Sequence, residues 1–490
     1  MMKTVQDIFD TARAGSLWAG HLIPGHTDSG KKLENRTPID NSLIGYIADG
    51  GAEDIDAAVR AARSAFSDGL WADKSPAEKR AVLLRWAQLV EAHAEELAAL
   101  DCIEAGKPIS ECLNTDMPAT VETFYFYAEY VDKAFGRVAP SGNDALGLIV
   151  QEPVGVVGAV LPWNFPAQMF AWKVVPALAA GNSVIVKPAE LTSMSACRMV
   201  QLAHEAGVPE GALTLVCGLG ETAGRALGLH HDVDMVAFTG STEVGRYFLE
   251  YSAQSNLKEI VLECGGKSPQ IVFADADLDK AVPSILAAAF WNMGENCSCG
   301  SRLIVDARVK DSLLAKLSDG LKQNWKVGDP RLPETNLGPL VEQAHFEKVC
   351  RYFDTALQEG GRLVTGGRTG DGWYFAPAII DGVTEEMTVF KEEIFGPVLA
   401  VTVFEDEEEA VRLANRSDYG LAASFYTADI GRAHRVARRI QAGTVSVNGF
   451  SEGSIATPFG GYKQSGFGGR DKGVEAFEQY TQTKTVWLMA

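Results

Sequence analysis

The sequence predicts an α/β protein built on two parallel sheets, on two observations. From Val154, short β-branched runs alternate with amphipathic stretches: VGVVGAV, FAWKVVPALAAG, SVIVK, SACRMVQLAHEAG, LTLVC, a glycine-rich turn and DMVAF. Strands alternating with helices pair in parallel through right-handed crossovers. A second series opens near Glu259 with EIVLE, PQIVF, a helical stretch through 287–291 and RLIVD, and continues with PVLAVTVF, AASFYT and TVSVN. It predicts a second α/β unit. The helical AAVRAARSAF and RAVLLRWAQLVEAHAEELAAL that precede both are expected to wrap the first sheet. Residues 137–153 and the alternating TKTVWLM near the C-terminus read as strands that pack outside either sheet.

At about 100–200 residues per domain, 490 residues imply two or three domains. The 44 Lys+Arg against 64 Asp+Glu give a net charge of −20, which repels phosphate backbones and anionic membranes and argues against a nucleic-acid partner. No apolar run reaches the roughly 18–20 residues that span a bilayer. The first turns mix Lys3 and Arg13 with Asp7 and Asp10 and carry no leader pattern, so a cytoplasmic protein is expected. Eight cysteines, mostly in apolar or helical surroundings, predict no disulfide framework. Cys297-Ser298-Cys299 has no second Cys/His cluster beside it, so no metal is expected. The acidic run Glu405–Glu409 and the arginines 432, 435, 438 and 439 read as solvated helix positions.

Ligands of an open parallel sheet bind beyond the carboxyl ends of its strands. Four such ends carry polar punctuation: Pro162-Trp163-Asn164-Phe165-Pro166, Lys187-Pro188-Ala189-Glu190, Gly218-Leu219-Gly220 and Thr239-Gly240-Ser241. Gly218-x-Gly220-x-x-Ala223 nearly fits a dinucleotide fingerprint but follows the third strand rather than the first. Gly240-x₄-Gly245 entering a helix is the alternative phosphate site, because a helix N-terminus offers free N–H groups. Either pair alone is also an ordinary tight turn. Lys187 and Glu190 could be a plain surface ion pair. At a strand end they suit a ribose, whose hydroxyls a carboxylate accepts while repelling a 2′-phosphate. In the second unit, Leu262-Glu263-Cys264-Gly265-Gly266-Lys267 sets an acid beside glycines, as a base or as a partner of Lys267. Cys297 lies in a small polar loop where a thiolate can be stabilised and reached.

With these residues in view, the sequence resembles the aldehyde dehydrogenase superfamily. PWNFP, KPAE, FTGSTEVG, LECGGKSP, GENCSCGSR, KEEIFGPV and PFGGYKQSG occur in that order over residues 150–470. The resemblance implies a Rossmann-like cofactor domain (1–136 and 154–262), an α/β catalytic domain (263–473) and a small β bridging domain (137–153 and 474–490). It makes Cys297 the nucleophile, Glu263 the general base and Asn164 an oxyanion donor. It assigns Trp163, Lys187, Glu190, Ser241, Glu393 and Phe395 to NAD⁺, beside Gly220, Gly240 and Gly245 of the two glycine motifs. It also implies a homodimer or homotetramer formed through the bridging strands. Three departures stand out: Cys264 for the usual leucine, Glu295 for the usual glutamine, and an extra glycine in Ser465-Gly466-Phe467-Gly468-Gly469-Arg470-Asp471. Cys299 leaves a second thiol near the first.

The expected reaction is oxidation of an aldehyde to a carboxylate through a thiohemiacetal and a thioester on Cys297, with NAD⁺ as oxidant. The presence of Glu263 argues against a CoA-acylating relative, and Cys297 with Glu263 argues against a silent binding protein. Within the superfamily, the 106–109 stretch, TVSVN and PFGGYKQSGFGGRDK are most similar to γ-glutamyl-γ-aminobutyraldehyde and other ω-aminoaldehyde dehydrogenases. That implies an aldehyde with a distal amine, amide or guanidine. Phe165, Met169, Trp172, Trp291 and Phe459 are expected to line its tunnel, their aromatic faces holding the cation, with Asp116 pairing with it at the mouth. The alternative is a solvated Asp116 and a tunnel for uncharged aliphatic or aromatic aldehydes.

Overall fold

The computed structural model describes residues 3–27 and 30–489; the extreme ends of the expected 1–136 and 474–490 segments lie outside them. Five strands of the first sheet are parallel, in the spatial order Glu259–Glu263, Met235–Thr239, Val156–Val160, Ser183–Lys187, Leu213–Leu215. The middle three are buried along their whole length, which is why they read as unbroken apolar runs rather than alternation. Helix Ala52–Ser67 covers one face, packing Ile55, Ala58, Val59 and Ala62 against Val156, Val160 and Ile185. Helices Pro166–Ala179 and Met194–Ala206 cover the other. Strand order reverses between Val156–Val160 and Met235–Thr239, so the crevice of a doubly wound sheet opens there.

EIVLE therefore belongs to the first sheet, paired with Met235–Thr239, and does not open the second as its sequence position suggested. Gly466–Phe467 closes that sheet's edge antiparallel to Leu262–Glu263, so a late segment of the chain returns to the first sheet. The second sheet has seven strands, in the order Arg362–Arg368, Phe375–Asp381, Val398–Phe404, Arg302–Asp306, Pro269–Val272, Ala422–Tyr426, Thr444–Val447. Only its first pair is antiparallel. Residues 137–153 and the C-terminal strand do pack outside both sheets. Ala145–Pro153 pairs with Thr481–Met489 and with Arg137–Ala139 in a separate three-stranded antiparallel sheet. A further small sheet, Leu17–Ala19, Lys32–Arg36 and Leu43–Ala48, stands in the N-terminal segment. No helix among the described residues is long and apolar enough to cross a membrane.

Candidate active site

The crevice holds a cavity of about 360 Å³, within the usual range for small-molecule sites. Cys297 lies on its wall and is the only cysteine among the described residues that is not buried. The chain reaches it through a tight turn in which Asn292, Met293 and Gly294 all have positive φ. Gly294 is required there, because a Cβ would lie 2.5 Å from the Gly396 carbonyl oxygen. Cys299 faces away: it is buried, its Sγ lies 3.3 Å from the Ala289 carbonyl, and burial pushes its thiol up to about 12. Cys297 is thus the thiol available to a ligand.

Asn164, just beyond strand Val156–Val160, shares the wall with Cys297. Its amide donates to the Glu295 carbonyl at 2.9 Å, and Asn292 donates to its backbone oxygen at 3.0 Å. One N–H of the amide holds the side chain in place while the other is left for a ligand. Burial raises the Glu295 carboxyl well above its ordinary value, partly offset by the Val341 N–H. Burial thus favours its neutral form, in which a carboxyl has nearly the shape and polarity of a glutamine amide. Beside it stands His345, which its position in sequence did not single out. Burial lowers it to about 4, so it is neutral, and it bonds the Phe395 carbonyl at 2.7 Å.

Glu263 ends strand Glu259–Glu263, yet its carboxylate is not part of the cavity wall. It is 4% exposed, its oxygens have no hydrogen-bond partner among the described residues, and a Cβ on Gly460 would lie 2.5 Å from Oε1. Burial and the nearby Asp471 push its pKa well up, with Lys173 and Arg470 opposing. Lys173 and Asp471 form a fully buried ion pair at 3.0 Å.

On the other side of the cavity, Lys187 Nζ meets Glu190 Oε2 at 3.1 Å, and both residues line the wall with Gly220, Gly240 and Ser241. Ser241 caps helix Thr242–Gln254 through the Val244 N–H. Gly245 does not reach the cavity; it lets that helix approach, since a Cβ would lie 3.1 Å from Cys264 Sγ. Glu393 accepts the Gly266 N–H at 2.8 Å, and burial pushes it up to about 7 although its edge is open to the cavity. Trp163 and Phe395 meet edge to face, their centroids 5.4 Å apart.

The residues expected to line a tunnel, Phe165, Met169, Trp172, Trp291 and Phe459, pack in one cluster with Cys297, and the first three line the cavity. One expectation about that tunnel is corrected. Asp116 is not at its mouth: it is 1% exposed and ion-paired with buried Lys107 at 2.5 Å. Cations of the chain also approach those rings: Lys107 Nζ sits 3.5 Å over Phe165 and 5.5 Å from Trp291. Lys472 Nζ likewise sits 5.0 Å from Trp172 and 5.3 Å from Phe459.

The chain is similar to known proteins along most of its length. The aldehyde dehydrogenase family model matches residues 26–486. Aminoacetaldehyde dehydrogenase of Pseudomonas aeruginosa is 52% identical, over 94% of this chain and 93% of its own. The NADP/NAD-dependent aldehyde dehydrogenase PuuC of Escherichia coli is 46% identical, over 93% and 92%. Among solved structures, a mutant of the P. syringae indole-3-acetaldehyde dehydrogenase AldA, in complex with NAD⁺ and IAA, superimposes with a TM-score of 0.96 at 43% identity, covering 100% of both chains. A family model matching most of the chain, and identity of that level along nearly the full length on one fold, mean that this chain belongs to the aldehyde dehydrogenase family.

Proposed function

We propose that the chain oxidises an aldehyde to a carboxylate with NAD⁺, by way of a thioester on Cys297. The observation that carries the reading is the one accessible thiol beside an amide donor in a strand-end crevice. The crevice suits a dinucleotide: Gly220 and Gly224 leave open space on its wall, the capped N-terminus of helix Thr242–Gln254 faces it, and Lys187 with Glu190 offers a ribose both donor and acceptor. Glu393 and Phe395 are suited to the ribose at the other end. Bound there, NAD⁺ would supply the hydride acceptor.

The chain's own residues do the rest. The Cys297 thiolate adds to the carbonyl carbon, and the free Asn164 N–H with the Cys297 backbone N–H stabilises the oxyanion, each such donor contributing about 3 kcal/mol to the transition state. Glu263 then takes a proton from the water that cleaves the thioester. Its unpartnered oxygens leave it free to swing from Gly460 towards the thiol. The name of the 52%-identical relative supports an aldehyde bearing an amine; the aromatic wall and the indole-3-acetaldehyde enzyme favour an uncharged one. NADH formation with a matched panel of aldehydes tests the class, and no NADH with any aldehyde would sink the dehydrogenase reading.

Glu190 predicts the cofactor. Its charge should make kcat/KM at least about 10-fold higher for NAD⁺ than for NADP⁺, roughly 1.4 kcal/mol of repulsion, and Glu190→Gln should narrow the gap. A wild-type preference for NADP⁺ would remove that role.

The proposed domain division has 1–136 and 154–262 holding the cofactor, 263–473 the nucleophile, and 137–153 with 474–490 bridging, with Gly466–Phe467 of the second segment returning to the first sheet. Exposed Val138, Leu146, Trp487, Leu488 and Met489 on the separate sheet support a homodimer or homotetramer formed there. Light scattering should give a multiple of the chain mass for the wild type and a shift towards monomer for Trp487→Asp with Met489→Lys. A wild-type monomer would refute the assembly.

A further inference from the structure

The tunnel's aromatic rings are poor places for a substrate cation, because the buried ammonium groups of Lys107 and Lys472 already sit near them. A second cation over the same rings would be repelled by the first. Asp116 is neutralised by Lys107. Recognition of an amine must therefore come from a carboxylate that faces the cavity and is not already paired. Three acids line it: Glu190, Glu393 and Glu452. The first pairs with Lys187, and the second holds the Gly266 N–H on the cofactor side.

We infer that Glu452 recognises the ammonium group of a short aminoaldehyde, an assignment that rests on the aldehyde-oxidising reading above. Its Oε1 accepts the Ser298 hydroxyl at 2.5 Å, which fixes the carboxylate one residue from the nucleophile. Its Oε2 has no hydrogen-bond partner, and the carboxylate no ion pair, among the described residues. The nearby Lys472 Nζ donates to the Glu452 backbone carbonyl instead, at 2.7 Å. Because Ser298 follows Cys297 directly and its hydroxyl holds Glu452, the carboxylate stands close to the thiol and suits an aldehyde whose amine is only a few atoms from its carbonyl.

The placement also reaches the reacting sulfur. Burial raises the Cys297 thiol well above its ordinary value, and the charge of Glu452 is the next largest cause. An ammonium against Glu452 cancels that charge and eases formation of the thiolate, whereas an uncharged aldehyde leaves it in force. An amine-bearing substrate thus helps to activate the residue that attacks it.

The test compares 3-aminopropanal with butanal in the wild type, Glu452→Gln and Glu452→Asp. The ratio of kcat/KM for the amine over the plain aldehyde should fall about 10-fold or more in Glu452→Gln and by less in Glu452→Asp. A ratio unchanged within about 2-fold in Glu452→Gln would overturn the assignment while leaving aldehyde oxidation intact. No NADH from any aldehyde with the wild type would bring down both. Should the variants fail to fold, propylammonium and propanol are compared as competitive inhibitors of the wild type. The ammonium is expected to bind more tightly, and equal or weaker binding overturns the proposal.

Discussion

Cys297→Ala is expected to abolish NADH formation, by at least about 10⁴-fold, and Glu263→Gln to give a burst of about one NADH per site and then stall. The two defects differ because the thiol is needed before hydride leaves and the carboxylate only afterwards. Mass spectrometry of the stalled Glu263→Gln enzyme should find the acyl group on Cys297 and none on Cys299, which is buried against the Ala289 carbonyl. The wild-type hydrolytic step should rise with pH, since the raised pKa of Glu263 keeps it protonated in acid and only its ionised form can accept a proton from water. Normal turnover by Glu263→Gln would assign the base to another group.

Asp116→Ala is expected to act on stability, costing about 3–5 kcal/mol, because it strands the Lys107 charge in the core beneath Phe165. Urea denaturation measures this. Replacing both partners, as Lys107→Met with Asp116→Leu, should recover most of the loss. Any fall in kcat/KM should be similar for aminoaldehydes and plain aldehydes. A KM rise confined to aminoaldehydes, with stability kept, would return Asp116 to the substrate.

The sequence misleads at Asp116 for a geometric reason. Cys112–Asp116 forms a turn of π-helix, whose extra residue shifts the helical phase and turns the carboxylate inward towards Lys107. Counting at 3.6 residues per turn cannot see this. The strand-end residues Asn164, Lys187, Glu190 and Ser241 were legible because parallel strands buried on both faces stop abruptly at polar residues. Lys32–Arg36 was not, being polar and mostly exposed, and Gly466–Phe467 is too short to show a period. Glu452 and His345 carried no local signal; only folding brings a loop and a helix to the cavity. Gly245 fits a phosphate motif by spacing, but its missing side chain serves helix packing.

The strand Thr481–Met489 pairs along its whole length with Ala145–Pro153, and its side chains bond partners more than 300 positions earlier, as Thr481 does with Gln151. Contacts so distant in sequence form slowly, since the loop entropy must be met before they reward it. During synthesis, Ala145–Pro153 emerges long before its partner and waits with the edge that Thr481–Met489 later occupies unpaired. The nascent chain is therefore most open to aggregation in this interval, which ends when Thr481–Met489 pairs with the waiting strand.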